Sequence, residues 1–332
     1  MVSSQSSSIL ITGGTGFIGS HLARKLVAMN HRVVLFDLYP NTRSITDIKE
    51  RVEVVKGDVA DQMAIAETIG RFDVDTVFHA AAMLSVAAAT DLKNAYQVNI
   101  EGTFSLLEAC REAEVKKVIF LSSLAAFGPN TPFPFHEKSY REPASFYGVG
   151  KVCGEVMGTF YHHEYGMDFR CVRLAVVIGP GRRGQGATVS FSKFVEDVIL
   201  EESGVVMVPD YTVLPIIHVD DATDFLVALW NAPKVSQQVF MSGGVPVPIE
   251  GFVEEVKKHV PGGKIRYEVD PEAEQVASTW TLLTTMLINQ GQANVYREVE
   301  EIGWKLKHDT LEDIAKTFVE EIREHRDIYS SF

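Results

Sequence analysis

Cysteine is scarce. Among 332 residues only Cys110, Cys153 and Cys171 occur, an odd number without metal-ligand spacing. That argues against a disulfide framework and against a metal site, and leaves buried reduced thiols as the expectation. No run of about 18 consecutive apolar residues occurs either, so no transmembrane helix is expected. Residues 2–8 are serine-rich and lack the basic start and apolar core of a signal peptide. They read as a frayed tail, and the location as cytoplasmic. Positive charge is also in deficit. Lysine and arginine total 31 against 44 aspartates and glutamates, and the net charge of −13 repels nucleic acid and anionic membranes. Any anionic ligand must be held by local groups. Hydrophobic content of 46% is ordinary and, over this length, supports a large core.

The chain is richer in glycine, and places it pointedly. The apolar run Ile9-Leu10-Ile11 leads into Thr12-Gly13-Gly14-Thr15-Gly16-Phe17-Ile18-Gly19. Gly13, Gly16 and Gly19 satisfy G-x-x-G-x-x-G, while Gly14, Gly16 and Gly19 satisfy G-x-G-x-x-G. Leu22, Leu26 and Val27 follow at helical spacing, so the order is strand, glycine turn, helix. Such a turn, with Phe17 and Ile18 among its residues, lets backbone approach a pyrophosphate, whose charge suits the N-terminus of the helix that follows. The next strand, residues 32–36, is closed by Asp37, where a carboxylate bonds the free ribose hydroxyls of NAD and repels the 2′-phosphate of NADP. NAD is the expected cofactor. Arg43 reads as a solvated loop residue beyond the turn Pro40-Asn41-Thr42.

Farther along stands Tyr147-Gly148-Val149-Gly150-Lys151, with Ser122-Ser123 upstream. On a helix, residues four apart share a face, so the phenol and the ammonium occupy one small volume. A free phenol, of pKa about 10, is a poor base at neutral pH; a neighbouring cation favours its ionised form. That combination can take a proton from an alcohol.

Short β-branched runs at residues 9–12, 33–36, 52–55, 76–79, 118–121 and 171–177 alternate with helical patterns at 21–29, 62–69, 95–113 and 147–165. Alternation of this kind specifies an α/β fold with a doubly wound parallel (Rossmann) sheet. After Gly179-Pro180-Gly181 the rhythm changes, with helices expected at 191–202, 222–230, 250–260 and 311–325 and a strand at 214–219. The expected division is a cofactor domain of residues 1–178, to which 213–240 return, and an interwoven substrate lobe of 179–212 and 241–332. His162-His163-Glu164 reads as a solvated helix end, since adjacent residues on a helix point apart. Asp220-Asp221 reads as a helix N-cap.

Gly13, Gly16, Gly19, Asp37, Gly57-Asp58-Val59, His79-Ala80-Ala81-Ala82, Val98-Asn99-Ile100-Glu101-Gly102-Thr103, Ser122-Ser123, Phe127-Gly128, Tyr147 with Lys151, and Ile217-His218-Val219-Asp220-Asp221 stand in the order of a known family. Over nearly its whole length the chain resembles the extended short-chain dehydrogenase/reductases, the NAD-dependent epimerases and dehydratases. The resemblance implies that Ser123, Tyr147 and Lys151 are catalytic, with Ser122 structural. It implies that Asp58 and Val59 contact the adenine and that Ala80, Ala81 and Ala82 line the middle of the cofactor. Asn99 by resemblance supports the active-site backbone or a water, and a plain capping or turn role is equally open. Ser85 resembles a substrate-contacting serine, with a simple loop hydroxyl the other reading. A small-molecule substrate and a homodimer are expected.

Within that family the chain resembles the L-threonine 3-dehydrogenases of short-chain type, through Ala82-Met83-Leu84-Ser85, Phe127-Gly128-Pro129-Asn130, residues 147–170, Leu214-Pro215-Ile216-Ile217 and residues 265–271. Nucleotide-sugar enzymes usually carry an arginine where Pro215-Ile216-Ile217 stands, and here there is none. Oxidation of a small hydroxy acid such as threonine leads; a nucleotide-sugar 4-epimerase or dehydratase is the alternative. The loop 184–190 departs from the threonine enzymes, keeping Thr188 as a substrate contact but having Ala187 and Ser190 where a threonine and an aspartate are usual. Arg182 and Arg183 either hold an anionic group or solvate a loop.

Overall fold

A computed structural model of the chain describes residues 6–132, 135–184, 187–269, 271, 274, 281 and 298–330. The elements run β1 (Ser8–Thr12), α1 (Phe17–Ala28), β2 (Arg32–Asp37), β3 (Val52–Lys56), α2 (Gln62–Phe72), β4 (Thr76–His79), α3 (Ser85–Thr90), α4 (Leu92–Tyr96) and α5 (Gly102–Glu112). Then follow β5 (Lys117–Ser123), α6 (Phe146–Tyr165), β6 (Asp168–Leu174), β7 (Val176–Ile178), α7 (Ala187–Leu200), β8 (Ser203–Val206), β9 (Val213–His218), α8 (Val219–Asn231) and β10 (Val239–Met241). The chain closes with β11 (Val245–Pro248), α9 (Ile249–His259), β12 (Lys264–Tyr267), β13 (Glu298–Val299), β14 (Trp304–Lys305), α10 (Leu311–Glu324) and α11 (Arg326–Tyr329).

Seven strands form one sheet in the order β10-β6-β5-β4-β1-β2-β3. β1 pairs in parallel with β2 and with β4, β2 with β3, and β4 with β5. Strand order therefore reverses across β1, which places a topological switch point at its carboxyl end, where doubly wound sheets bind ligands. Ile9, Leu10 and Ile11 are completely buried, as a strand covered by helices on both faces requires. Two compact units divide the chain: Met1–Thr131, Glu137–Arg173 and Phe225–Phe240 in the first, and Pro132–His136, Leu174–Asp224 and Met241–Phe332 in the second. No helix among the described residues is long and apolar enough to cross a membrane.

Four expectations need correction, the last of them in the second unit. The helix expected over 95–113 is interrupted by a wide π-type turn at Gln97–Glu101, where the Asn99 side chain is drawn onto the backbone of Met83. The strand expected over 171–177 is two strands, because Ala175 N–H donates to the Ser242 hydroxyl at 3.1 Å rather than to a ladder; β7 then pairs with β9 in a separate three-stranded sheet. Nor are residues 6–8 frayed: Ser7 N–H donates to His31 Nδ1 at 3.2 Å, and Ser8 begins β1. Residues 2–5 of the expected tail lie outside the described residues.

In the second unit α10 is strongly amphipathic, burying Ile314, Ala315, Phe318, Val319 and Ile322 along one stripe behind a Thr310 N-cap. Asp221 does not cap α8. Its completely buried carboxylate accepts Lys307 N–H at 2.9 Å, His308 N–H at 3.1 Å and His308 Nδ1 at 2.7 Å, pinning the segment before α10. Burial disfavours a charged His308, but the hydrogen bond to Asp221, and then its charge, raise the imidazole pKa above the ordinary value. A raised folded-state pKa means stability that is fully present below about pH 6.5 and lost as pH rises through the folded value. Urea midpoints of the wild type should thus fall between about pH 6 and pH 9, and those of His308→Gln should fall less. Asp221→Ala, which strands three donors, should cost about 1–3 kcal/mol.

Candidate active site

The glycine turn is built by contact. Gly13 has φ +65°, and a Cβ there would sit 2.9 Å from Ala81 N. A Cβ on Gly19 would meet Gly13 O at 2.3 Å. Only glycine lets β1, the loop after β4 and α1 converge this closely. The N-cap of α1 is Gly16, and no side chain caps the helix or places acid in its first turn. Those first-turn amides and the dipole of a twelve-residue helix fit a pyrophosphate. Asp37 lies beside the turn, its Oδ2 accepting Thr15 Oγ1 at 2.7 Å and Thr15 N at 3.2 Å. Thr15 thus orients the carboxylate, a contact that sequence reasoning missed although the threonine lies within the glycine motif. Asp58 Oδ1 accepts Ala60 N–H at 2.9 Å, and the Val59 side chain joins the core.

Opposite features meet on α6. Ser145 caps its start, accepting Gly148 N–H at 3.1 Å, and Gly166 ends it in the left-handed conformation. Along one side a Cβ on Gly148 would meet Ala125 O at 2.1 Å, one on Gly154 the Phe120 ring at 2.4 Å, and one on Gly158 the Phe169 ring at 2.0 Å. The helix therefore lies flush on the sheet and carries Lys151 into the interior. Lys151 Nζ donates to Leu121 O at 2.7 Å and sits 4.9 Å from the Phe120 ring centroid and 5.4 Å from that of Tyr147. Burial lowers the ammonium pKa to about 8, and the charge of Glu155 works in the opposite direction. Two residues beyond Leu121, Ser123 ends β5, its Oγ accepting Ala125 N–H at 3.1 Å. The side chains of Ser122 and Ser123 alternate: Ser122 turns inward and donates to Glu155 Oε1 at 2.6 Å.

The other expected residues fall as follows. Asn99 Oδ1 accepts Met83 N–H at 2.8 Å and its Nδ2 donates to Met83 O at 3.0 Å, so it supports backbone rather than capping a helix. Ser85 is exposed at the start of α3. Thr188 lies in the second unit, in the first turn of α7, and its Oγ1 accepts Arg182 Nη2 at 2.8 Å. Arg182 also bonds Val177 O, and Arg183 bonds Glu196. Gln185 and Gly186 of the expected substrate loop lie outside the described residues.

Comparison with known proteins decides the family. A family model described as NAD dependent epimerase/dehydratase matches residues 9–241, well over half of the chain. The chain belongs to the NAD dependent epimerase/dehydratase family. This member is an NAD-dependent enzyme, a dehydrogenase or an epimerase. It is 28% identical over 309 residues to the mitochondrial L-threonine 3-dehydrogenase of Bos taurus, covering 91% of this chain and 78% of that protein. It is also 28% identical over 291 residues to the D-erythronate dehydrogenase of Cupriavidus necator, covering 82% and 89%. The crystal structure of L-threonine dehydrogenase from Clostridium difficile superposes with a TM-score of 0.82 at 27% identity, over 98% of this chain and 99% of that one.

Within this epimerase/dehydratase family member, Glu155 was not foreseen as part of the site. One turn beyond Lys151, it is completely buried and accepts Ser122, Arg173 Nε at 2.8 Å, Arg173 Nη2 at 2.7 Å and Arg141 Nη1 at 3.1 Å. Arg173, itself 1% exposed, also donates to Glu137 O and lies over the Phe127 ring. The available signal was the glycine-studded helix, since Gly148, Gly154 and Gly158 in an otherwise helical pattern imply close approach. Glu155→Ala leaves the Arg173 charge buried and unpaired, and should cost about 3–5 kcal/mol of stability in urea unfolding.

Proposed function

We propose that the protein is an NAD-dependent dehydrogenase that oxidises the secondary alcohol of a small polar hydroxy acid, L-threonine being the first candidate. The observation that carries this reading is a buried ammonium, Lys151, beside the Tyr147 ring on the same helix, with Ser123 at the end of the strand that holds it. In this reading Gly13, Gly16, Phe17, Ile18 and Gly19 hold the pyrophosphate, Asp37 the adenosine ribose, Asp58 and Val59 the adenine, and Ala80, Ala81 and Ala82 the middle of NAD. Bound NAD supplies a hydride acceptor. Ser123 donates a hydrogen bond to the substrate oxygen and fixes its position. Tyr147 takes the hydroxyl proton, its phenolate favoured by the charge on Lys151. Asn99 keeps the loop at Met83 in place.

Substrate size is supported from two sides. Where a nucleotide-sugar enzyme offers an arginine, this chain has Pro215 with Ile216 and Ile217, and both isoleucines are completely buried in β9. Arg182 and Arg183 are engaged within their own unit, with Val177, Thr188 and Glu196. The two curated relatives named above act, by their names, on L-threonine and D-erythronate, which are both small hydroxy acids.

Mixing the protein with NAD and L-threonine or D-erythronate, and following absorbance of NADH, tests the reading. Net NADH is expected. Conversion or tight binding of a UDP-sugar without net NADH would replace the reading with an epimerase. Tyr147→Phe should lower turnover by about 10²–10⁴-fold while leaving NAD binding nearly intact, and Asp37→Ala should erode the preference for NAD over NADP. A homodimer is supported by the exposed Tyr96, Phe104, Val156 and Phe160 on α4, α5 and α6. Light scattering should report a dimer for the wild type and a monomer for Phe104→Glu paired with Phe160→Glu.

A further inference from the structure

A buried histidine at the end of β4 has no part in the chemistry above. His79 is 1% exposed, with Nδ1 2.7 Å from Thr12 Oγ1 and Nε2 3.1 Å from Thr103 Oγ1. The bonds its partners make assign the ring hydrogen to one nitrogen. Thr103 gives its single hydroxyl proton to Asn99 O, 2.9 Å away, so toward His79 its oxygen can only accept. Nε2 is therefore the N–H, and Nδ1 is the lone pair that accepts from the Thr12 hydroxyl. The Thr12 oxygen remains an acceptor for Ala81 N–H at 3.3 Å. Asn99 returns the path to the same loop through its two bonds with Met83. Six hydrogen bonds thus run from Ala81 through Thr12, His79, Thr103 and Asn99 to Met83.

We propose that His79, as the neutral Nε2–H tautomer, is a positioning residue for NAD: it holds the loop of Ala80, Ala81 and Ala82 against the glycine turn. The proposal rests on the reading that this loop lines the cofactor. Its geometry is direct. Thr12 immediately precedes Gly13, His79 immediately precedes Ala80, and the Cα of Gly13 faces the backbone of Ala81 too closely for a Cβ to fit. Moving the imidazole moves both walls. Burial, and then the nearby charge of Lys151, hold the pKa of His79 down at about 3, so the ring stays neutral through the physiological range. The Phe120 ring, 5.7 Å away between centroids, offers it no charge. A second ring proton would turn Nδ1 into a donor and break the bond from Thr12.

Two measurements test this. Nitrogen-15 NMR of the histidine side chains, assigned by comparison with His79→Gln, should show His79 as a neutral Nε2–H ring from about pH 5.5 to 8. Calorimetry should show NAD binding weakened about tenfold by Thr103→Val, which removes the hydroxyl linking His79 to Asn99 while keeping its shape. His79→Phe, which lacks both bonds, should weaken it further, and His79→Gln, which keeps a donor toward Thr103, should recover part of the loss. A purely structural role would lower the melting temperature of these variants and leave the NAD affinity of the folded protein unchanged. A cationic or Nδ1–H His79, or folded Thr103→Val that binds NAD within about twofold of wild type, would overturn the proposal. Wild-type protein that fails to bind NAD would overturn the cofactor reading and this proposal together.

Discussion

The candidate site depends on how closely α6 lies against β5. Three glycines on the helix let it approach until two rings of the sheet and the Ala125 carbonyl just beyond β5 occupy the space of their missing side chains. At that separation Lys151 and Glu155 cannot reach water. Each must find its partners in the sheet: Leu121 O of β5 for the ammonium, and the Ser122 hydroxyl of β5 with Arg173 of β6 for the carboxylate. The same two bonds, one helical turn apart, set the register between the strand bearing Ser123 and the helix bearing Tyr147. The geometry of the candidate site and the docking of the helix are thus one arrangement.

That arrangement has a thermodynamic cost. Glycine inside a helix is about 1 kcal/mol less favourable than alanine, and α6 carries Gly148, Gly150, Gly154 and Gly158. Desolvating an ammonium costs several kcal/mol more, which is why its pKa is pulled down rather than up. The Ser145 cap, the Gly166 terminus and the paired network around Glu155 offset part of this. A structure optimised for stability alone would fill the glycine positions and remove the buried charge.

What the sequence disclosed and what it withheld divide along a physical line. The glycine turn, the strands around it and the Tyr147–Lys151 pair were legible because their signals are local: periodicity, turn chemistry and a four-residue spacing. The sheet followed from the alternation of those elements. Contacts set by tertiary docking were not legible. Ser122 and Glu155 are 33 residues apart, Thr12 and His79 are 67, and Asp221 and His308 are 87. Asp221, the expected helix cap, is instead drawn across to the segment before α10, a stronger set of donors than its own helix offered. Likewise the continuous helix expected over 95–113 yields to a wide turn, because Asn99 serves the Met83 backbone.

The central claim is that a cationic lysine is held dry beside Tyr147 by this docking. Lysine ε-carbon NMR, titrated in the wild type and in Lys151→Met, reads it directly. One resonance titrating near 8, absent from the variant, is the predicted result. A spectrum in which every lysine titrates at the ordinary value of about 10.4 or above would contradict the account.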